Sequence, residues 1–252
     1  MRAALAKLPT VITSVKQLRD FLPSISHRGA LYLDLEGKEL GRNGTLDIVT
    51  VLCRGKKPSS LIDVRTLGDA AFTTPGKDAG RTLKEILEDP DVTKYFWDVR
   101  SDADALWSHH RVRLAGVTDV QLLENATRWG NKKRLAGLGT AVEQYLRLPQ
   151  EVLSPWLQAK KDVKALLDAD EDVFSRRPLT PRCVSYCAGD VRWLPTLRSI
   201  YTRRANSRLL EKVCAESARR VDEACGPDYQ SVSEDKKFGP SWGSGPTEQV
   251  VA

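Results

Sequence analysis

The segment LYLDLEG, residues 31–37, places the tightest constraint on the fold. Leu31, Tyr32 and Leu33 mark an interior strand, yet Asp34 and Glu36 follow with a single residue between them. Side chains alternate across a strand, so the two carboxylates share a face. Like charges that close repel, and burying either one unpaired is costly. A sheet that contains this segment has to bring positive charge to that face: an arginine, a lysine or a metal ion. Carboxylate oxygens are hard ligands suited to Mg²⁺ or Mn²⁺. By itself the D-x-E pattern is unspecific, since solvated acidic pairs also occur on exposed strands.

The rest of the chain supplies a sheet for that strand. TSVKQLRDFLPSI opens with Thr13 or Ser14 as a helix cap and repeats Val15, Leu18, Phe21 and Leu22 at helical spacing. After LYLDLEG, the turn signal NGT leads into LDIVTVLCRG, rich in β-branched residues, and KKP separates this run from SSLIDVRTLG. Three strands joined by short turns predict an antiparallel meander. The character then changes. GRTLKEILEDPDV predicts a short helix ended by Pro90, TKYFWDV a fourth strand, SDADALWSHH a helix capped by Ser101, and VTDVQLLENATRW a short strand and a further helix. RLAGLGTAVEQYL, SPWLQAKKDVKALLDADED, LTPRCVSYCAGDVRWLPTLRSIYTRR and SRLLEKVCAESARRVDEAC all read as helical, with Pro195 as a kink in the third. Strands first, alternation next and helices last predict one α/β domain with a mixed sheet. Its expected bounds are 10–205, followed by a C-terminal helix over 206–225. Gly, Pro and Ser are frequent over 226–252, which predicts a flexible tail.

Two further segments carry acid. In FWDVRSDADALW an apolar strand end feeds a helix, and Asp98, Asp102 and Asp104 compete for any role there. Ala103, Leu106 and Trp107 define the helix's buried face, with Asp102 and Asp104 flanking it on opposite sides, so periodicity does not choose among the three. In SYCAGDVRWL, Tyr186 and Asp190 stand four apart, one above the other on a helix. Val191, Trp193 and Leu194 make an apolar setting for Asp190, which should therefore be paired or bound to metal.

The ordered set is D-x-E on the first core strand, aspartate at a strand–helix junction and Y-x-x-x-D on a late helix. In this it resembles the DEDD 3′–5′ exonucleases of the tyrosine subclass, which include ribonuclease D, the Werner-type exonuclease domain and proofreading domains of some DNA polymerases. The likeness extends to TDVQLL and to RPLTPRCVSYCAGDV, and spans about residues 10–205. It implies a ribonuclease H-like fold, a mixed five-stranded sheet flanked by helices. It also implies that Asp102 is the functional aspartate of its segment. The implied catalytic set is Asp34, Glu36, Asp102, Tyr186 and Asp190. The four carboxylates hold two divalent metal ions, Mg²⁺ or Mn²⁺, and Tyr186 positions the attacking water. Trp97, where close relatives often carry histidine, and Phe174, where tryptophan is usual, depart from the pattern and leave the acidic set intact. The implied reaction is hydrolysis of phosphodiester bonds from the 3′ end of RNA or single-stranded DNA. The alternative is a catalytically silent nucleic-acid-binding adaptor on the same fold.

Composition bears on partners. The net charge of +6 suits a polyanion, and four carboxylates repel one unless cations compensate. Arg100, Lys132, Lys133, Arg134, Arg176, Arg177 and Arg192 are the expected nucleic-acid contacts, with Trp107 and Trp129 assigned to core packing ahead of base stacking. Five cysteines without a C-x-x-C pair argue against a disulfide framework or structural zinc. The N-terminus lacks the apolar core of a signal peptide, and no apolar run approaches the roughly 20 residues of a membrane span. The expected setting is intracellular, in cytoplasm, nucleus or an organelle, with the tail available to a protein partner.

Overall fold

The computed structural model describes residues 9–55, 58–169 and 172–242. Six strands form one sheet in the order β1-β4-β3-β2-β5-β6. They are β1 (Thr10–Ile12), β2 (Ala30–Glu36), β3 (Ile48–Cys53), β4 (Ser60–Asp63), β5 (Thr93–Phe96) and β6 (Val117–Asp119). The predicted meander is present: β2 and β4 each pair with β3 antiparallel, and β5 and β6 add parallel strands beyond β2. The sheet has six strands where five were expected. The extra one, β1, pairs parallel with β4, and three residues are too short to show alternation in a sequence.

The helices are α1 (Val15–Phe21), α2 (Val64–Leu67), α3 (Ala70–Thr73), α4 (Leu83–Glu88), α5 (Arg100–His110), α6 (Val120–Thr127), α7 (Leu138–Leu146), α8 (Gln150–Asp168), α9 (Pro181–Arg192), α10 (Leu194–Thr202) and α11 (Ser207–Ala224). Alternation along β2 sorts them into two layers. Leu33 and Leu35 point to a core built with α1, α3, α4 and α5. Tyr32 faces the opposite way, into a core with α6, α7 and α10. Beside it Ile48 and Leu61 pack on α8 and α9. Asp34 and Glu36 lie on this second face.

Local chemistry explains the helix ends. Ser14 and Gln17 close a capping box on α1, and the Thr180 hydroxyl accepts from Cys183 N at the start of α9. Ser101 does not cap α5: Val99 precedes the helix without a side-chain cap. Instead the Asp119 carboxylate accepts from the backbone N–H groups of Asp98 and Val99, at 3.0 and 3.1 Å. At Pro195 the long helix does not merely kink; α9 ends at Arg192 and α10 begins at Leu194.

The expectation of a flexible tail from residue 226 needs correction as far as Trp242. Arg42 donates to the carbonyls of Ala224, Gly226 and Pro227, and Tyr229 is buried. Residues 237–239 then run antiparallel to 133–135, joined by Leu135 N to Lys237 O at 3.0 Å and Gly239 N to Lys133 O at 2.9 Å. Trp242 Nε1 donates to Asn125 Oδ1 at 2.8 Å. A few aromatic anchors fix a segment whose Gly, Pro and Ser content masks them. The rest of the expected tail, 243–252, lies outside the described residues.

Candidate metal centre

The site forms where β2 outruns β5. Their pairing ends at Tyr32 opposite Tyr95, so the half of β2 carrying Asp34 and Glu36 has no strand on that side. The first turn of α5 stands there instead. Asp102 Oδ1 accepts from Leu35 N at 3.0 Å, satisfying a buried backbone donor that β5 does not reach. Asp102 is thus fixed beside the D-x-E pair by the backbone between its two members. Asp98 and Asp104 have other partners: Asp98 pairs with Arg100, and Asp104 with Arg42. Both Asp102 and Asp104 are buried.

From the other side α9 crosses β2 and delivers Tyr186 and Asp190. Carboxylate oxygens of Asp34, Glu36 and Asp190 lie within 4.8 Å of one another. Asp34 Oδ2 and Asp190 Oδ1 are buried without any hydrogen-bond partner. Buried carboxylate oxygens are ordinarily satisfied, and an orphan needs an explanation such as an ion. Directly across from Asp34 on β3, the buried Thr50 hydroxyl is orphaned too.

The electrostatics agree. Burial, reinforced by the Asp190 charge, pushes Asp34 up to about 7, with Glu36 and Lys160 pulling the other way. Glu36 is raised well above the usual carboxylate range by burial and then by Asp34 and Asp190. Asp102 is also raised, by burial and then by Asp34. Burial raises Asp190 despite Lys160 beside it. The Tyr186 hydroxyl is driven far above its ordinary value by burial and by Glu36, Asp190 and Asp34, so it stays protonated and keeps a proton to donate. A divalent cation matches this donor set: hard oxygens, excess negative charge and unused lone pairs.

Lys160 is a charged site residue that sequence reasoning did not find. Its ammonium contacts Asp190 Oδ2 at 2.5 Å and lies over the rings of Trp156 and Tyr186. Gly189 makes this approach possible. A Cβ there would stand 2.8 Å from the Trp156 indole, so only glycine lets α8 settle this close to α9. Lys160 sits one helical turn beyond Trp156. A lysine inside the polar run LQAKKDVK carries no sequence signal that separates it from a solvated one.

The expected nucleic-acid contacts divide. Arg177 is committed to Asp63, with two contacts of 2.6 Å, and Arg100 to Asp98, also with two at 2.6 Å. Lys132 donates to Ala126 O. Lys133, Arg134 and Arg176 are exposed, as is Arg192, which lies over the Trp193 ring. Trp129, assigned to core packing, is 91% exposed, while Trp107 is half-buried.

Comparison with known proteins adds three findings. A family model described as 3′–5′ exonuclease matches residues 9–204. The chain resembles the RNase D of Trypanosoma brucei with a TM-score of 0.73 at 23% identity, over 91% of this chain and 77% of that one. It also resembles the RNase D of Escherichia coli, an exoribonuclease involved in structured RNA processing, with a TM-score of 0.61 at 18% identity. That match covers 87% of this chain and 51% of the other, so this chain spans about half its length. NrnC of Brucella melitensis, solved with bound Mg²⁺, gives a TM-score of 0.55 at 16% identity over 85% of this chain and 90% of that one. No curated protein matches the sequence. At these identities the structural likeness is one of fold.

Proposed function

This chain belongs to the 3′–5′ exonuclease family, and from that premise we propose that it removes nucleotides from the 3′ end of RNA or single-stranded DNA at the cluster of Asp34, Glu36, Asp102 and Asp190. The observation that carries the reading is the set of three carboxylates within 4.8 Å with two orphaned oxygens, at the positions where the family pattern puts its acids.

Asp34, Glu36 and Asp190 would hold one divalent cation, and Asp34 with Asp102 a second. Bound there, such ions supply acidification of a water and neutralisation of the attacking and leaving oxygens of the phosphodiester. The chain's own residues do the rest. Asp34 would serve both positions, since it feels the Asp190 charge and its own charge is felt at Asp102. Asp102 is kept in place by Leu35 N, close enough to Asp34 for the two charges to act on each other. Tyr186, protonated throughout the working pH range, donates a hydrogen bond that orients the attacking water; it is not a base. Lys160 gives the cluster its covalently tethered positive charge.

Oligonucleotides labelled at the 3′ or the 5′ end, incubated with Mg²⁺, Mn²⁺ or EDTA, test the proposal. The expected outcome is a metal-dependent ladder shortening from the 3′ end and abolished by Asp34→Ala. Parallel RNA and DNA substrates decide which polymer is preferred. Tight binding with no degradation in either metal would reject the nuclease and favour the adaptor.

A further inference from the structure

The chain carries an exposed aromatic and basic surface where residues 129–134 meet Phe238. Trp129 is 91% exposed and Phe238 38%, the two exposed Phe, Tyr or Trp rings among the described residues. Lys133 and Arg134 lie over the Phe238 ring, at 5.9 and 5.6 Å from its centroid. Among the described residues no carboxylate lies within ion-pair distance of either cation. Glu234 is held below its usual range by Lys237 and more weakly by Arg134.

This surface is built rather than loose. Residues 133–135 and 237–239 are laddered by backbone hydrogen bonds, so the C-terminal segment fixes the basic loop in position. The same segment is tied to the catalytic end of the sheet. Arg100, at the start of the helix that carries Asp102, donates to Lys236 O at 2.9 Å. Gln121 Nε2, just after β6, holds Ala136 O at 3.1 Å.

Trp129, four residues before Lys133 in the same loop, presents an indole almost wholly to solvent. Flat rings alternating with unpaired cations match one class of partner, a single strand whose bases stack on the rings while its phosphates meet the cations. We propose that Trp129, Lys133, Arg134 and Phe238 form a platform for single-stranded nucleic acid upstream of the 3′ end held at the carboxylates. The proposal rests on the reading of that cluster as the cleavage site, and it gives the C-terminal segment a role in strand binding.

The test is binding in EDTA, where no cleavage occurs. Fluorescence anisotropy is measured on the full chain with a 5′-labelled oligouridylate of about 15 nucleotides, enough to cover one such site, and with one of about three. Trp129→Ala is expected to weaken the long oligonucleotide by about tenfold, the loss of one base stack, and to change the short one much less. Trp129→Phe should restore most of the affinity. Lys133→Gln with Arg134→Gln should lower the slope of log affinity against log salt by about 0.7 for each phosphate that is no longer neutralised. Unchanged affinity of Trp129→Ala for the long strand overturns the platform and leaves the surface to a protein partner. Equal weakening of both lengths overturns it as well. Because the assay needs no turnover, a failure here with an intact 3′ ladder sinks only this proposal. A retained length effect without any ladder sinks the nuclease and leaves the platform as a strand-binding surface, no longer placed upstream of a cleaved end.

Discussion

Two groups of aspartates in the chain are treated in opposite ways. Asp63, Asp104 and Asp119 are all 0% exposed, and each meets an arginine. Asp63 accepts from Arg177 through both oxygens and from the Thr66 backbone and hydroxyl. Asp104 meets Arg42 Nε and Arg42 N, both at 2.8 Å. Asp119 accepts three backbone N–H groups and Arg220. These carboxylates have their lone pairs used. In the cluster on β2 and α9, by contrast, two oxygens have no partner and one lysine faces three acids. Burial tends to raise Asp63, but Arg177 and Thr66 more than offset it and hold the group low; in the cluster the same burial wins. The saturated acids hold the fold together. The unsaturated ones are left short of positive charge, which suits a cation from solution.

Mutation should break the two groups differently. Asp34→Asn is expected to lower hydrolysis by roughly a thousandfold, the several kcal/mol that metal-held charge stabilisation contributes to such a transition state. The fold should remain, because removing one of several crowded charges relieves repulsion. Asp63→Ala should do the reverse. It leaves Arg177 without its partner and costs about 3–5 kcal/mol of stability, with activity per folded molecule retained. Denaturant titration beside a 3′-labelled ladder assay separates the outcomes; equal stability loss in both variants would erase the distinction. Tyr186→Phe falls between them, with a drop of roughly ten- to a hundredfold in rate and unchanged stability. The acid and alkaline limbs of its pH–rate profile should stay in place, because the hydroxyl does not ionise in that range.

Acidity sharpens the contrast, because the linkage signs differ. Asp63 is lower in the folded chain than in the unfolded one, so its stabilisation is present above about pH 4 and lost on acidification. Asp34 is higher when folded, so its contribution is fully present below about pH 4 and lost as pH rises through about 7. In EDTA the melting temperature should therefore fall between pH 5 and pH 8. Saturating Mg²⁺ should cancel or reverse that fall, since the ion binds the ionised carboxylates and releases their protons. A flat Mg²⁺ effect across this range would mean that the cluster does not take the ion.

Much of this was legible in the residues. LYLDLEG announced a strand with two acids on one face, and the family pattern picked Asp102 from three candidates that periodicity could not rank. The strand alternation also placed Asp34 and Glu36 on one face of the sheet. The saturated pairs were not legible: Asp63 with Arg177 and Asp104 with Arg42 join positions 114 and 62 residues apart, and nothing local records such a pairing. Lys160 was hidden for the same reason, since its role depends on Gly189 admitting Trp156 across a helix interface. Composition misled over 226–242, where Tyr229, Phe238 and Trp242 outweigh the surrounding Gly, Pro and Ser.

Lys160→Met gives the smallest and most discriminating effect. The lysine already occupies part of the role of a cation at Asp190, so an incoming ion has to displace it or share the carboxylate with it. Removing the ammonium removes that competitor. It also removes charge that favours the ionised forms of Asp34, Glu36 and Asp190. The two consequences act in opposite directions on metal affinity and separate with pH. At pH 8 protons compete weakly, and the Mg²⁺ concentration for half-maximal stabilisation should fall, by about tenfold or less, as expected for one partly exposed ion pair. At pH 6 the carboxylates hold their protons more tightly without Lys160, and the advantage should shrink or vanish. Calorimetric titration of Mg²⁺ into the variant and the parent at both pH values reads this crossing directly. Identical affinities at pH 8 would show that Lys160 does not compete with the ion and that the shortage of positive charge is set by the carboxylates alone.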